Sequence, residues 1–272
     1  MKSFANLVAL PFILLALLFL YIAWSVDSDY AIWTVPFVVS TAVVYVMAPQ
    51  INWWWFSKHP PELDSGQITL LERYHGFYRR LTDADKKRFR ERTALLIMGA
   101  DWDPFAMPEE AMPDDVKLSI AAQAAMITFK REELLFRKFE KVIVFPFPFP
   151  TPEYPFNHAS ELYEADGCLI FSAEQVMMAW LNPIKWYNVA VHEYARAFTI
   201  TYPDEKYPAL DGPKVWDTLE TVSGMPRNNV EIVIGLTNVP ILAVAIHHYF
   251  LFPDQFHDLM PQEYKQFKQI FG

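Results

Sequence analysis

His192 and Glu193 stand side by side in the stretch NVAVHEYARAFTI, residues 188–200. That pairing has a recognised chemical use. In the pattern H-E-x-x-H, two imidazoles at i and i+4 share one helix face and hold Zn²⁺, while the Glu polarises a metal-bound water. Here the first His and the Glu are present, and Arg196 stands at the second His position. A guanidinium cannot ligate, because it stays cationic to a pH of about 12 and all its nitrogens are donors. It would also repel a divalent cation. It lies three positions beyond Glu193, within pairing reach on a helix. The residues leave two chemistries open, beside the plain reading of His192 as a satisfied histidine on an amphipathic helix. In one, Glu193 and Arg196 form a buried ion pair in place of a metal centre. In the other, His192 keeps a metal through altered ligands and Glu193 serves as base.

The elements around this helix follow from caps and periodicity. Thr82 to Met98 predicts a helix, with Thr82 as N-cap, acids in the first turn and bases later. Asp101 to Pro113 reads as a proline-punctuated loop, and Pro113-Asp114-Asp115 opens a second helix whose small residues suit close packing. Lys141 to Phe147 and Gly167 to Phe171 are short β-branched or apolar runs, hence strands. Ser172 caps a helix through Trp180, Asn182-Pro183 ends it, and the central helix starts near Tyr187. Tyr202 to Pro213 is polar and turn-rich. Val239 to Phe250 is an apolar helix carrying His247 and His248, followed by two short helices after Pro253 and Pro261. The sum is a mixed α+β domain, mostly helical with a small sheet on one side. His59, His75, His158 and His257 read as loop or surface bystanders.

The N-terminal part is different. Before Lys58 the charged residues are Lys2, Asp27 and Asp29 alone. Phe4 to Val26 and Tyr30 to Met47 are apolar runs, each near the 20 residues or so that cross a bilayer. Asp27-Ser28-Asp29 is a tight connector, and Trp53-Trp54-Trp55-Phe56 reads as an interfacial belt. The organisation predicted is a transmembrane hairpin over 1–57, a Pro60-Pro61 linker over 58–69 and a soluble domain over 70–272. Basic residues flank the pair on one side, which puts both termini and the soluble domain in the cytoplasm of a bacterial-type inner membrane. The net charge of −9 argues against nucleic acid as partner, and the one cysteine, Cys168, excludes a disulfide framework or a thiolate zinc site.

Five blocks in order resemble the zinc-dependent peptidases typified by Mlc titration factor A. They are Ser119 to Ala124, Lys141 to Phe147, Cys168 to Ser172, Asn188 to Arg196, and Ala243-Val244 through Pro253, and the likeness spans roughly Leu70 to Gly272. The resemblance implies a zincin-like fold. It places His192 on the first zinc ligand, Glu193 on the catalytic base, Arg196 on the second ligand and His247 on the third, where the family has Glu. It therefore implies a membrane-anchored relative impaired in catalysis, with zinc weakly held or absent, that binds a protein or peptide in the former substrate cleft. The alternatives are an active metallopeptidase using His192, His247 and Glu193, and a membrane-tethered docking scaffold that works through the aromatic–proline loop after Phe145.

Overall fold

The structure is a computed structural model that describes residues 4–105, 112–134, 136, 138–236 and 238–272. The chain divides into two compact units, one up to Pro61 and one from Glu62 to Gly272.

In the first unit, helix α1 (Phe4–Ser25) tolerates Pro11 in its third turn. Asp27 then accepts the Asp29 N–H at 3.0 Å and starts a 3-10 turn, Ser28–Trp33, that leads into α2 (Thr34–Val46). The stretches Phe4–Ser25 and Ser28–Val46 are long and apolar enough to cross a membrane. Leu7, Leu14, Leu17, Trp24, Tyr45 and Val46 are exposed on them, which water penalises and a lipid tail does not. The tryptophans of the expected belt lie on a separate helix, α3 (Ala48–Lys58), begun by Pro49 in its first turn. It is tied to α1 by the Ala5 N–H to Asn52 Oδ1 bond at 2.9 Å and by Phe4 stacked on Trp55 at 4.0 Å.

The second unit opens with α4 (Ser65–Tyr74), fixed by a reciprocal capping box between Asp64 and Gln67. Short α5 (Gly76–Arg79) follows, then α6 (Asp83–Gly99) with Thr82 as its cap. The sequence reading of 101–113 as a loop needs correction at its start. Asp101–Pro104 is strand β1, paired in parallel with β2 (Lys141–Phe145). An edge strand can end in proline because its outer N–H groups need no ladder partner. Residues 106–111 of that predicted loop lie outside the described residues. Helix α7 (Asp114–Ile127) is buried from Leu118 to Ile127, as its run of alanines allows.

The sheet order is β1-β2-β4-β3. Strand β4 (Cys168–Ser172) is parallel to β2 and buried throughout, while β3 (Ser160–Tyr163) is antiparallel on the other edge. Strand β3 has no β-branched residue, and its extended form comes from pairing with β4. After α8 (Ala173–Leu181) comes the central helix α9 (Val189–Thr201). Two helices that the sequence reading left out, α10 (Val215–Ser223) and α11 (Arg227–Ile234), fill the interval before α12 (Ile241–Leu251). Helices α13 (Pro253–Leu259) and α14 (Pro261–Phe271) close the chain. Helix α9 packs against α7, α8, α12, β3 and β4, so it runs through the middle of the unit. This mostly helical unit with a small mixed sheet has a zincin-like fold.

Two of the histidines expected on the surface are buried. His75 caps α5, accepts the Tyr78 N–H on Nδ1 and packs against Phe89 and Trp180. His158, two residues before β3, packs edge-on against Phe149. Their burial depends on partners far away in sequence, which local polarity does not reveal.

Candidate functional site

Asn188 sets up the central helix. Its Oδ1 accepts the Val191 N–H at 3.1 Å, and everything from Val189 to Ala195 is buried. Glu193 is 0 % exposed. A carboxylate that deep needs both hydrogen bonds and a counter-charge. It has both. Ser160 of β3 donates its hydroxyl to Oε1 at 2.8 Å, and Arg196 reaches back along its own helix to donate from Nη1 to Oε2 at 2.8 Å. The Arg196 side chain is 27 % exposed, so its far side stays in contact with solvent.

His192 lies one residue before this pair. Its Nδ1 is 2.8 Å from the Tyr187 hydroxyl, and the Tyr187 ring is stacked on His247 at 4.0 Å. Tyr187 thus links the two imidazoles that the sequence singled out. The His247 protonation follows from its neighbours. Nε2 receives the backbone N–H of Asn188 at 3.1 Å, which can only donate. The neutral ring must then carry its proton on Nδ1, which points at His248 Nδ1 at 3.1 Å. Burial drives His192 well below the usual imidazole range, and the Arg196 charge adds to it. Burial does the same to His247, helped by His248 and His192. His248 is lowered to about 4 by burial, against the pull of the Leu219 and Val244 carbonyls. Burial, followed by the Glu193 charge, pushes the Tyr187 phenol well up. Around the ion pair, then, the histidines and the tyrosine are neutral near pH 7.

Zinc needs lone pairs converging from three protein side chains, with one position left for water. Arg196 offers none. Both Glu193 oxygens are taken, and both His247 nitrogens are in hydrogen bonds. A ligating imidazole is normally held in one tautomer by a carboxylate or carbonyl behind it. The group behind His192 is a phenol that keeps its own proton and can donate as well as accept. Among the described residues, no group of three or more His, Cys, Asp or Glu side chains gathers as a metal site requires. As arranged, these donors do not fit a zinc ion.

The candidates from sequence are therefore neighbours: His192, Glu193 and Arg196 on one helix, with His247 brought to them through Tyr187. Tyr187, Ser160 and the Asn188 backbone were missed. Tyr187 left one signal, an aromatic just ahead of the Asn188 cap. Ser160 left none, since its strand carries no β pattern. His158 also belongs nearby. Its Nδ1 faces the Phe156 carbonyl at 2.9 Å and its Nε2 faces Glu161 at 3.0 Å. Both ring nitrogens thus face oxygen partners. Gly235, at φ +83°, presses on His158 so closely that a Cβ would lie 2.5 Å from its Cα. His257 is exposed beside Asp258, as expected.

The family described as glucose-regulated metallo-peptidase M90 matches residues 53–200, more than half of the chain. The chain belongs to that family. The resemblance to the peptidases typified by Mlc titration factor A is accordingly a family relationship. Within it, this M90 member is metallo-peptidase-like and carries two apolar N-terminal helices. The match runs from α3 through the His192–Arg196 segment and stops at Ile200, before α12 and His247. A search of curated proteins returned no significant match.

Proposed function

We propose that this M90 chain is a membrane-anchored pseudopeptidase that binds a protein or peptide segment at the former substrate cleft. The carrying observation is the saturation of Glu193, with Ser160 on one oxygen and Arg196 on the other. A carboxylate so engaged cannot take a proton from water without breaking one of those bonds. Without a metal, water stays near its bulk pKa of about 15.7 instead of about 7. On this reading Arg196 supplies the positive charge that a metal supplies elsewhere, and zinc is weakly held or absent.

The binding half of the reading is supported by a cavity of about 270 Å³ beside Tyr187, walled by Trp186, Met225, Val230 and the exposed Ile184 and Ile232. Its far wall, Tyr187, is the residue bonded to His192. An apolar side chain of an extended segment suits such walls. We infer further that the hairpin over 1–57 anchors the chain in a bacterial-type inner membrane, with the linker over 58–69 and the domain over 70–272 on the cytoplasmic side. The charge distribution supports that orientation.

A second reading, an active zinc peptidase using His192, His247 and Glu193, is favoured by one observation. Both imidazoles are neutral and both touch the same tyrosine. Peptide hydrolysis by the full chain in detergent, with and without a chelator, separates the two. The pseudopeptidase reading expects no chelator-sensitive turnover. Turnover abolished both by the chelator and by Glu193→Gln overturns it.

A further inference from the structure

A second cavity, of about 200 Å³, adjoins the first, with Ile184 on the wall of both. It is enclosed by the α4–α5 turn (Tyr74 to Arg80), Gln123 of α7, Trp180 at the end of α8, Asn188, and Phe250 and Leu251 at the end of α12. None of the residues lining it is acidic. Two cations stand at its rim. Arg80 donates from Nη2 to the Phe250 carbonyl at 3.2 Å and feels Asp254. Arg79 is exposed and has no carboxylate or hydrogen-bond partner for its side chain among the described residues.

The floor is polar and unfinished. His75 and Gln123 are 4 % and 3 % exposed. His75 Nδ1 is spent on the Tyr78 N–H, so the neutral ring carries its proton on Nε2. Gln123 and the Ala122 carbonyl lie close enough to favour protonation of the ring. Yet neither His75 Nε2 nor Gln123 Oε1 closes a hydrogen bond of good geometry. Buried polar atoms without partners are rare enough to require a reason. Phe77, Trp180, Phe250 and Leu251 give it apolar walls.

We propose that this cavity binds a small organic carboxylate with an apolar or aromatic body, its anionic end on Arg79, Arg80 and the His75 Nε2–H and its body against Trp180 and Phe250. The volume falls below the range of about 300–1,000 Å³ that takes drug-sized ligands, which limits the body to about one ring or a short chain. A bare inorganic anion would leave the aromatic wall unused, and an uncharged alcohol would leave Arg79 unpaired.

The test uses the full chain in detergent and the imidazole NMR signal of His75, assigned by its loss in His75→Asn. Phenylacetate is the probe. The proposal expects a saturable shift of that signal and an affinity at least about tenfold above those of inorganic phosphate and of phenylethanol, the equivalent of one charge-assisted hydrogen bond. Arg79→Ala, an exposed change that leaves the fold intact, weakens phenylacetate about tenfold. Arg80→Gln weakens it further if that variant folds. No saturable shift with phenylacetate overturns the proposal, as does equal affinity for phosphate or phenylethanol, or unchanged affinity in Arg79→Ala.

Discussion

Two buried polar clusters in the same helical unit have opposite characters. At Glu193 the charges are complete: each carboxylate oxygen has a donor, and the guanidinium comes from the same helix. At the second place His75 Nε2 and Gln123 Oε1 are neutral and unspent, and of the two arginines beside them Arg79 has no side-chain partner among the described residues. A family-typical metallopeptidase would show the reverse at the first place, with donors left open toward a metal. The closed cluster reads as structure and the open one as a place for a ligand.

The contrast can be broken by substitution. The largest effect is expected for Arg196→Ala, which leaves the Glu193 charge buried and alone. It should cost about 3–5 kcal/mol, read as a fall in the urea midpoint. Replacing both partners with Met should recover most of that loss. A cost below about 1 kcal/mol for the single change would mean that the pair is solvated and the cluster is not closed. Next is pH. Burial, followed by the Arg80 charge, lowers His75 to about 3. The unfolded chain therefore binds a proton below about 6.5 that the folded chain refuses. The stability this group supplies is complete above that pH and is lost as pH falls toward about 3. Between pH 7 and 5 the loss from this group is roughly 2 kcal/mol, and His75→Asn should remove that share of the slope while the shares of His192, His247 and His248 remain. Ser160→Ala, which frees Glu193 Oε1, should cost about 1–3 kcal/mol. The smallest effect sharpens the comparison. Arg79→Ala should change stability by no more than about 0.5 kcal/mol, because this arginine has no partner to lose.

Much of this arrangement was legible in the chain. Caps at Thr82 and Ser172, and the apolar runs around α7, α9 and α12, mark those helices directly, whereas the start of α9, read near Tyr187, lies at its cap Asn188. Strands β1 and β3 were not legible, because edge strands of four residues owe their form to β2 and β4. At the site, the spacing of His192, Glu193 and Arg196 anticipated their proximity. It could not show that Ser160, more than thirty residues earlier, completes the carboxylate's bonds. Nor could it show that the Asn188 N–H occupies His247 Nε2. Those contacts depend on how β3 and α12 pack on α9. His75 was misread for the same reason: a histidine followed by glycine between two helices reads as surface until Phe89 and Trp180 close over it.

The central claim is that a guanidinium holds the charge position of a metal ion. Elemental analysis tests it most directly, on the full chain equilibrated with excess zinc and then freed of unbound metal. The account predicts zinc far below stoichiometric, unchanged in His192→Ala and raised in Arg196→His. Stoichiometric zinc in the unaltered protein, lost on His192→Ala, would contradict it.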